Sequence, residues 1–472
     1  MAVNLFTGAT NSNWGTATNW SLGVVPLAND GHVATFDITS PDCIVNVVAN
    51  CNRFNCNLYG GTLTVSNAIN CYGNFTLSPA MTIAGTGGLN LLANSTITAN
   101  GNTWPGALNF SLTSGIFVIS GTWINNGTVT QGSGSAVTFN GDTLVCNSSL
   151  IGSLISTLGN SLFSMRGTGN LAGNFSNPIE INTVGTITFS SNITYGSNAN
   201  SQKFEYIDGT INMGSNVFTI NGSCSLDTKN LVFNTVNFQG TGAVVNLITN
   251  LNTNNLLLSS NTTLNNSEIN VFNNTTITRF IYGSSIINIK SRGSITNNGG
   301  TLGVFAINVN IFSLGIITFI GDIYINNGVF SIIYGFFRTQ NITFYLTGNC
   351  TLNNIDYLII DNVIVTAGVT VTMNNFFSGT PKRITYIRAT SSTYNVNMTS
   401  GNKYCKFVLI KDCVLLQKGI LINEYTKGNL GFNNGVIFIN NLANGFPFKV
   451  NRIISDMCNF NDHNESFNGF HL

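Results

Sequence analysis

Charge is the scarcest property of this chain. Asp, Glu, Lys and Arg make up 7% of its 472 residues, against about a quarter in ordinary soluble domains. The net charge is +1, which gives no basic face for a nucleic acid, so no such partner is expected. Basic residues gather between Lys382 and Arg452, but acids accompany them and a solvated surface is the reading. Histidine occurs three times, as His32, His463 and His471. These do not combine with the cysteines into a zinc pattern, so no metal or cofactor is expected. Long apolar runs are also missing. The greasiest stretch, LGVFAINVNIFSLGIITFIGDIYINNGVFSIIYGFF from Leu302, is broken throughout by Asn, Gly and Asp. A membrane helix needs about 18 unbroken apolar residues, so no membrane insertion is expected. The opening MAVNLFTGATNSNW has neither a basic nor an apolar leader region, and no secretory signal is expected. Apolar residues nowhere recur at three-four spacing over a useful length, which removes the helix signal.

What is abundant is Asn, Thr, Ser and 49 glycines, over a 43% hydrophobic and 11% aromatic background. Disordered chains lack that aromatic content. Short alternating runs repeat along the chain: TLTV (Thr62 to Val65), NFTL (Asn74 to Leu77), GLNLL (Gly88 to Leu92), AVTF (Ala136 to Phe139), TITF (Thr186 to Phe189), NVFTI (Asn216 to Ile220) and INVNIF (Ile307 to Phe312). Each reads as a strand bounded by Gly or Asn. Corners are written with Asn and Gly. INNG occurs from Ile124 and again from Ile325, and NNG from Asn297 and Asn433. Asn and Gly tolerate the left-handed backbone that sharp corners use.

Many very short strands with polar amide and hydroxyl positions favour an all-β, right-handed parallel β-helix (a β-solenoid). Like residues can then stack in ladders between coils. Scarce charge fits, because like charges stacked at the strand spacing repel. Tandem β-sandwiches are the alternative. At about 20 to 25 residues per coil, about 400 residues would make about 16 to 20 coils, a rod on the order of 80 to 95 Å long.

The first coil of such a fold has a raw edge and an open apolar bore. The segment NSNWGTATNWSLGVVPLANDGHVATFD, Asn11 to Asp37, holds Trp14, Trp20 and Pro26 just before the first regular strands. It is expected to cap the bore, with Pro26 unable to extend a ladder. A Trp pair stacking on sugar rings is the alternative. The segment resembles the front of β-solenoid proteins of the viral tail, fibre and spike type and of bacterial surface adhesins. Trp14, Asn19, Trp20, Ser21, Gly23, Pro26, Asp30 and Phe36 carry the match. The stretch Arg383 to Phe438 is similar to a closing module of the same proteins through Tyr404, Ile410, Asp412, Asn433, Asn434, Gly435 and Phe438. Val436 stands there where Trp is usual, and Cys413 where Ser is frequent. The division expected is a cap over residues 1–40, a parallel β-helix over 41–380, closing coils over 381–440 and a tail over 441–472 that either caps the last coil or reaches a neighbour.

Four of the ten cysteines, Cys43, Cys51, Cys56 and Cys71, crowd the front. Buried free thiols are expected there, with one or two disulfides as the alternative.

Catalytic constellations are thin. Glycoside cleavage needs two carboxylates about 5 to 10 Å apart on one face. Glu205 with Asp208, and Asp356 with Asp361, are the nearest pairs, and their odd separations put each pair on opposite faces of a strand unless a turn intervenes. No calcium cluster or phosphate loop is visible: GTGG at Gly85 and GSGS at Gly132 lack the lysine and helix. A nucleophilic triad would have to use one of the three histidines, and for His32 a polar surface role is expected. Asn-X-Ser/Thr sequons such as Asn74 to Thr76 arise by chance in so Asn-rich a chain.

No catalytic residue is therefore assigned. The resemblance implies a virion structural protein: an elongated fibre, spike or decoration subunit engaging host surface glycans. Its partners would be other virion structural proteins and, by analogy, further copies in a trimer. A cell-surface adhesin and a carbohydrate-degrading tailspike are the alternatives.

Overall fold

The computed structural model describes residues 1–416 except for 111–114, 121–122, 132–136, 142, 147–149, 156–161, 197–201, 280, 291–292, 299–303, 339–341, 356–359, 361, 376–384, 400–402 and 407. Beyond 416 it describes 421–424 and 436–439. The regular structure is nearly all β, with 61% of residues in strands, and forms a parallel β-solenoid of about 15 turns. That is slightly fewer than the roughly 16 to 20 expected. A 3-10 turn lies at Ala17–Asn19. An antiparallel bridge joins Phe6 to Trp20 in the front segment. The regular strands pair in parallel with the coil before and the coil after, which rules out the sandwich alternative. Two compact units make up the chain, Met1–Glu268 and Ile269–Leu472.

In the first unit the coil is short and regular. Ile69–Cys71, Leu89–Leu91 and Leu108–Phe110 stack in register, with Ile69, Leu89 and Leu108 in one column. Alternation decides the faces: in Thr62–Val65, Leu63 and Val65 are buried while the threonines between them are half-buried. The residue between each buried pair builds a ladder. Asn70 Nδ2 donates to Asn50 Oδ1 at 2.9 Å, Asn90 to Asn70 at 2.7 Å and Asn109 to Asn90 at 2.7 Å, and Thr130 Oγ1 donates to Asn109. The steps are 20, 20, 19 and 21 residues, which is the coil length itself. An amide fits because it has a donor and an acceptor, so each rung passes the bond upward.

Corners use handedness and space: Gly101, Gly214, Gly368, Asn100 and Asn354 take the expected left-handed backbone, while other glycines are required by close approach. A Cβ on Gly87 would lie 2.3 Å from Asn67 O, one on Gly106 2.0 Å from Gly87 O, and one on Gly127 2.3 Å from the Gly106 carbonyl. Successive coils thus touch backbone to backbone along a glycine column. The expectation that corner glycines serve a left-handed backbone fails at Gly127 and Gly328, neither of which has positive φ. In the second INNG it is Asn327 that takes the left-handed conformation, at φ 53. The two INNG copies do the same job otherwise: Asn126 N–H donates to Trp104 O and Asn326 N–H to Phe305 O, both at 2.8 Å.

The second unit stacks on the same plan with a different strand style. Strands of about four residues were expected throughout, but Val304–Ile320 runs for 17 residues. It pairs with Ile281–Ile289 and Val329–Arg338, and the register shifts between Tyr282 and Ile286, Ile311 and Phe312, and Phe312 and Ile316. The strand rounds its corners on bulges, which bend a strand without ending it. INVNIF lies inside it, and TITF lies inside a second 17-residue strand, Ile179–Tyr195, in the first unit. The second unit has its own ladder: Asn288 donates to Asn270 at 3.2 Å, Asn310 to Asn288 at 3.1 Å and Asn353 to Ser331 at 3.0 Å. Its core is mainly Ile and Val, among them Ile287, Val309, Ile311, Ile332 and Val363, all fully buried. Among the described residues no helix is long and apolar enough to cross a membrane.

Candidate functional site

The front segment is an aromatic plug. Trp14 is 0% and Trp20 2% exposed. Their rings meet edge to face at 4.6 Å, and Phe36 and Phe6 close around them, with Phe6 to Trp20 at 5.1 Å and Phe36 to Trp20 at 5.7 Å. Trp14 stacks on Phe54 at 6.2 Å, and Phe54 on Phe75 at 4.5 Å, so the plug continues into the bore of the regular coils. Trp20 Nε1 donates to Trp14 O at 2.8 Å. Burial this complete leaves no ring face for a sugar, so the stacking-platform alternative does not hold. Asn19 is the hub behind the rings. Its Oδ1 accepts from Thr10 N–H at 2.9 Å and its Nδ2 donates to Asn13 O at 2.8 Å. Ser21 N–H donates to Leu5 O at 2.8 Å, which covers the outer edge of the first strand, Ala2–Leu5. Pro26 is buried, while Gly23 and Asp30 are exposed on the same segment.

Two neighbours of the plug are polar. Asp37 accepts from the Thr39 hydroxyl at 2.7 Å and from Thr39 N–H at 2.8 Å, and these bonds hold its carboxyl below the usual carboxylate range. His32 is 8% exposed, and its Nδ1 accepts from Leu27 N–H at 3.2 Å. The surface role expected for His32 is therefore corrected: the ring is a buried tie within the front segment.

Charge concentrates elsewhere in the first unit, and the coil brings it together. The register sets Ser164 opposite Glu180, Glu180 opposite Glu205, and Glu205 opposite Asp227. Three carboxylates on successive coils would repel at strand spacing. Cations interleave with them. Arg166 Nη2 lies 2.7 Å from Glu180 Oε1, and Lys203 Nζ lies 2.8 Å from Glu205 Oε1 and 3.9 Å from Asp227 Oδ2. Ser164 Oγ donates to Glu180 at 2.8 Å and accepts from Arg166 Nε at 2.7 Å, while Thr249 Oγ1 donates to Asp227 at 3.2 Å.

The pair Glu205 and Asp208 sits at this stripe. The register pairs Ile181 with Tyr206 but Asn182 with Asp208, so Ile207 is an extra residue in the strand Gln202–Asn212. That bulge reverses the alternation, and neither carboxylate enters the core: Glu205 is half-buried and Asp208 exposed. The expectation of opposite faces is corrected, for want of a bulge that no local signal announced. Lys229 Nζ donates to the bulge carbonyl of Ile207 at 2.9 Å. Asp208 meanwhile accepts from Gly209 N–H at 2.8 Å. Glu205 is thus tied to a lysine and Asp208 to the backbone. Arg166, Glu180, Lys203 and Asp227 were not singled out from the sequence. The signal was available only as charges spaced by a coil length.

Of the closing residues, Asp412 occupies a left-handed corner at φ 63, and its carbonyl accepts from Tyr394 N–H at 2.9 Å. Ile410 and Cys413 are buried. Tyr404 stands opposite Ile422, Val436 opposite Leu421 and Phe438 opposite Asn423, in parallel strands. Asn433, Asn434, Gly435, Asp356, Asp361, His463, His471, the GSGS stretch and the tail over 441–472 lie outside the described residues. All eight described cysteines, including Cys43, Cys51, Cys56 and Cys71, are buried thiols outside any disulfide. Among the described residues no group of three or more His, Cys, Asp or Glu side chains is placed to hold a metal. Comparison with protein-family models, curated proteins and solved structures returns no match.

Proposed function

We propose that this chain is a non-catalytic structural protein of a virus particle: a fibre, spike or decoration subunit that meets host surface glycans. The observation that carries the reading is the stacking itself. Coil after coil is held by backbone ladders, by asparagine rungs and by a dry core, a construction that resists unfolding and proteolysis without a cofactor. The resemblance of the front segment and of the stretch Arg383 to Phe438 to viral and adhesin β-solenoids supports the particle setting. For glycans, the stripe of Lys203, Glu205 and Asp227 supplies donors and acceptors side by side, which suits pairs of sugar hydroxyls.

The test is copurification. Particles washed in high salt should retain the chain at a fixed ratio to their other structural proteins, and the isolated chain should sediment as an oligomer, by analogy a trimer. Absence from washed particles overturns the reading. Release of reducing sugar from host glycans, abolished by Glu205→Gln, would replace it with a tailspike enzyme.

A further inference from the structure

Two front cysteines meet across successive coils. Cys51 ends the strand Ala49–Cys51 and Cys71 ends Ile69–Cys71. The strands pair in parallel with Ala49 opposite Ile69, Asn50 opposite Asn70 and Cys51 opposite Cys71. One residue away, the Asn50–Asn70 bond at 2.9 Å pins that register. In-register residues of neighbouring parallel strands have Cα atoms about 4.8 Å apart, inside the span of about 4.4 to 6.8 Å that a disulfide bridges. Both side chains are fully buried on the core face. Cys56 lies near both Cys51 and Cys43 but pairs in register with neither; of the other described cysteines, Cys43 faces Leu63, Cys146 faces Asn125 and Met165, Cys224 faces Gln202 and Val245, Cys350 faces Val371, and Cys413 faces Tyr394.

We propose that Cys51 and Cys71 form an oxidation site, in which a peroxide converts the two thiols into a disulfide that bolts one coil to the next directly beneath the aromatic plug. The roles of the two sulfurs differ. The Cys51 thiol donates to Asn70 O at 3.8 Å and the Cys71 thiol to Gly73 O at 3.2 Å; contact with Cys51, with further backbone donors and the Arg53 guanidinium nearby, lowers Cys71 against the opposing effect of burial. The same contact, with burial, pushes Cys51 well up. In this proposal Cys71, with the Arg53 guanidinium nearby, is the nucleophile and Cys51 the resolving thiol. The Cys71 thiolate, its proton already given to solvent, attacks the peroxide. An S–O bond forms, the O–O bond breaks, and the departing hydroxide takes the Cys51 proton to become water. The Cys51 thiolate then attacks the sulfenic sulfur of Cys71. An S–S bond forms, the S–O bond breaks, and the second hydroxide takes up a proton from solvent. Two electrons leave the sulfurs and reduce one peroxide to two waters. The closed loop spans one coil, so the bond removes freedom from the unfolded front of the chain.

The full chain, reduced and freed of reductant, is treated with hydrogen peroxide. Remaining thiols are alkylated in denaturant, and the protein is digested and mapped by mass spectrometry. The expected product is a peptide pair linking Cys51 to Cys71, with two of the ten thiols lost and the unfolding midpoint raised by several degrees. All ten thiols remaining alkylatable would overturn the proposal, as would a link involving Cys43 or Cys56, or a sulfinic acid at Cys71 without any link. Cys51→Ala and Cys71→Ala should each abolish the peroxide-induced rise, while Cys43→Ala keeps it; a rise that survives in either of the first two sinks the idea. The mapping of the unaltered chain decides the matter even if a core variant fails to fold.

Discussion

The two units solve one stacking problem with different materials. All four tryptophans, Trp14, Trp20, Trp104 and Trp123, are buried in the first unit, where three-residue strands alternate with corners cut by a glycine column. The second unit fills its core mainly with Ile and Val, and its strand Val304–Ile320 rounds corners on register shifts, a style that the first unit also adopts after its tryptophan-bearing coils, in Ile179–Tyr195. A column of backbone contacts demands glycine at a fixed place in every coil, which keeps the coil length near constant. A bulged corner absorbs an extra residue wherever it falls, which lets the strand lengthen. The amide ladder appears in both units, so it belongs to the stacking and not to either style of corner.

Tryptophan fluorescence reports the first unit alone, so each contrast can be measured. The largest effect is expected at the plug. Trp14→Ala should destabilise the first unit by about 4 kcal/mol in denaturant unfolding, because it empties the centre of the aromatic cluster. Ile311→Val in the second unit should cost about 1 kcal/mol by circular dichroism and leave the fluorescence transition in place. Equal losses would show that the plug is ordinary core.

Next comes the glycine column. Gly106→Ala places a methyl 2.0 Å from Gly87 O and should cost about 2 to 3 kcal/mol. Gly60→Ala, where the same methyl meets open space, should stay within about 0.5 kcal/mol. A harmless Gly106→Ala would mean that the coils can part without penalty, and the contrast between corner styles would lose its physical basis.

The shared ladder should respond alike in both units. Asn70→Ala and Asn288→Ala each leave an amide partner unsatisfied above and below, and each should cost about 2 kcal/mol. A large difference between them would show that the rungs carry the load in one unit only. On the charged stripe, Lys203→Ala should lower stability by less than about 1 kcal/mol, since its side chain is 40% exposed and solvent screens the pair.

The smallest expected effect is with pH. Asp37 has a lowered folded value because of its bonds from Thr39 and Ser40. A lowered carboxyl contributes stability that is fully present above its ordinary value of 3.8 and is lost as pH falls through the folded value. The first unit should therefore weaken slightly below about pH 4, and Asp37→Asn should flatten that dependence. An unchanged acid profile in the variant would remove Asp37 from the account.

Much of this was legible before any coordinates. Alternation in TLTV, the asparagines of the short strands and the scarcity of charge pointed to stacked parallel coils, because each is a local requirement of a ladder. Trp14, Trp20 and Phe36 stood out by residue type, and large rings gathered before the first strand have a bore to fill. The stripe did not stand out. Glu205 was considered with Asp208, three residues away, whereas its actual neighbours are Glu180 and Asp227, a coil before and a coil after. His32 was misjudged because one ring nitrogen and one backbone amide decide its burial.

Period-two faces, amide rungs and the preference for coils over helices are written into short stretches of the chain, since all three follow from residues within a few positions of one another. Only the tertiary structure decided which coil positions lie opposite, and therefore which thiols, carboxylates and glycines meet. A bulge at Ile207 or a shift at Phe312 moves every later partner by a residue, and its energy depends on the neighbouring coil, about twenty residues distant in the chain.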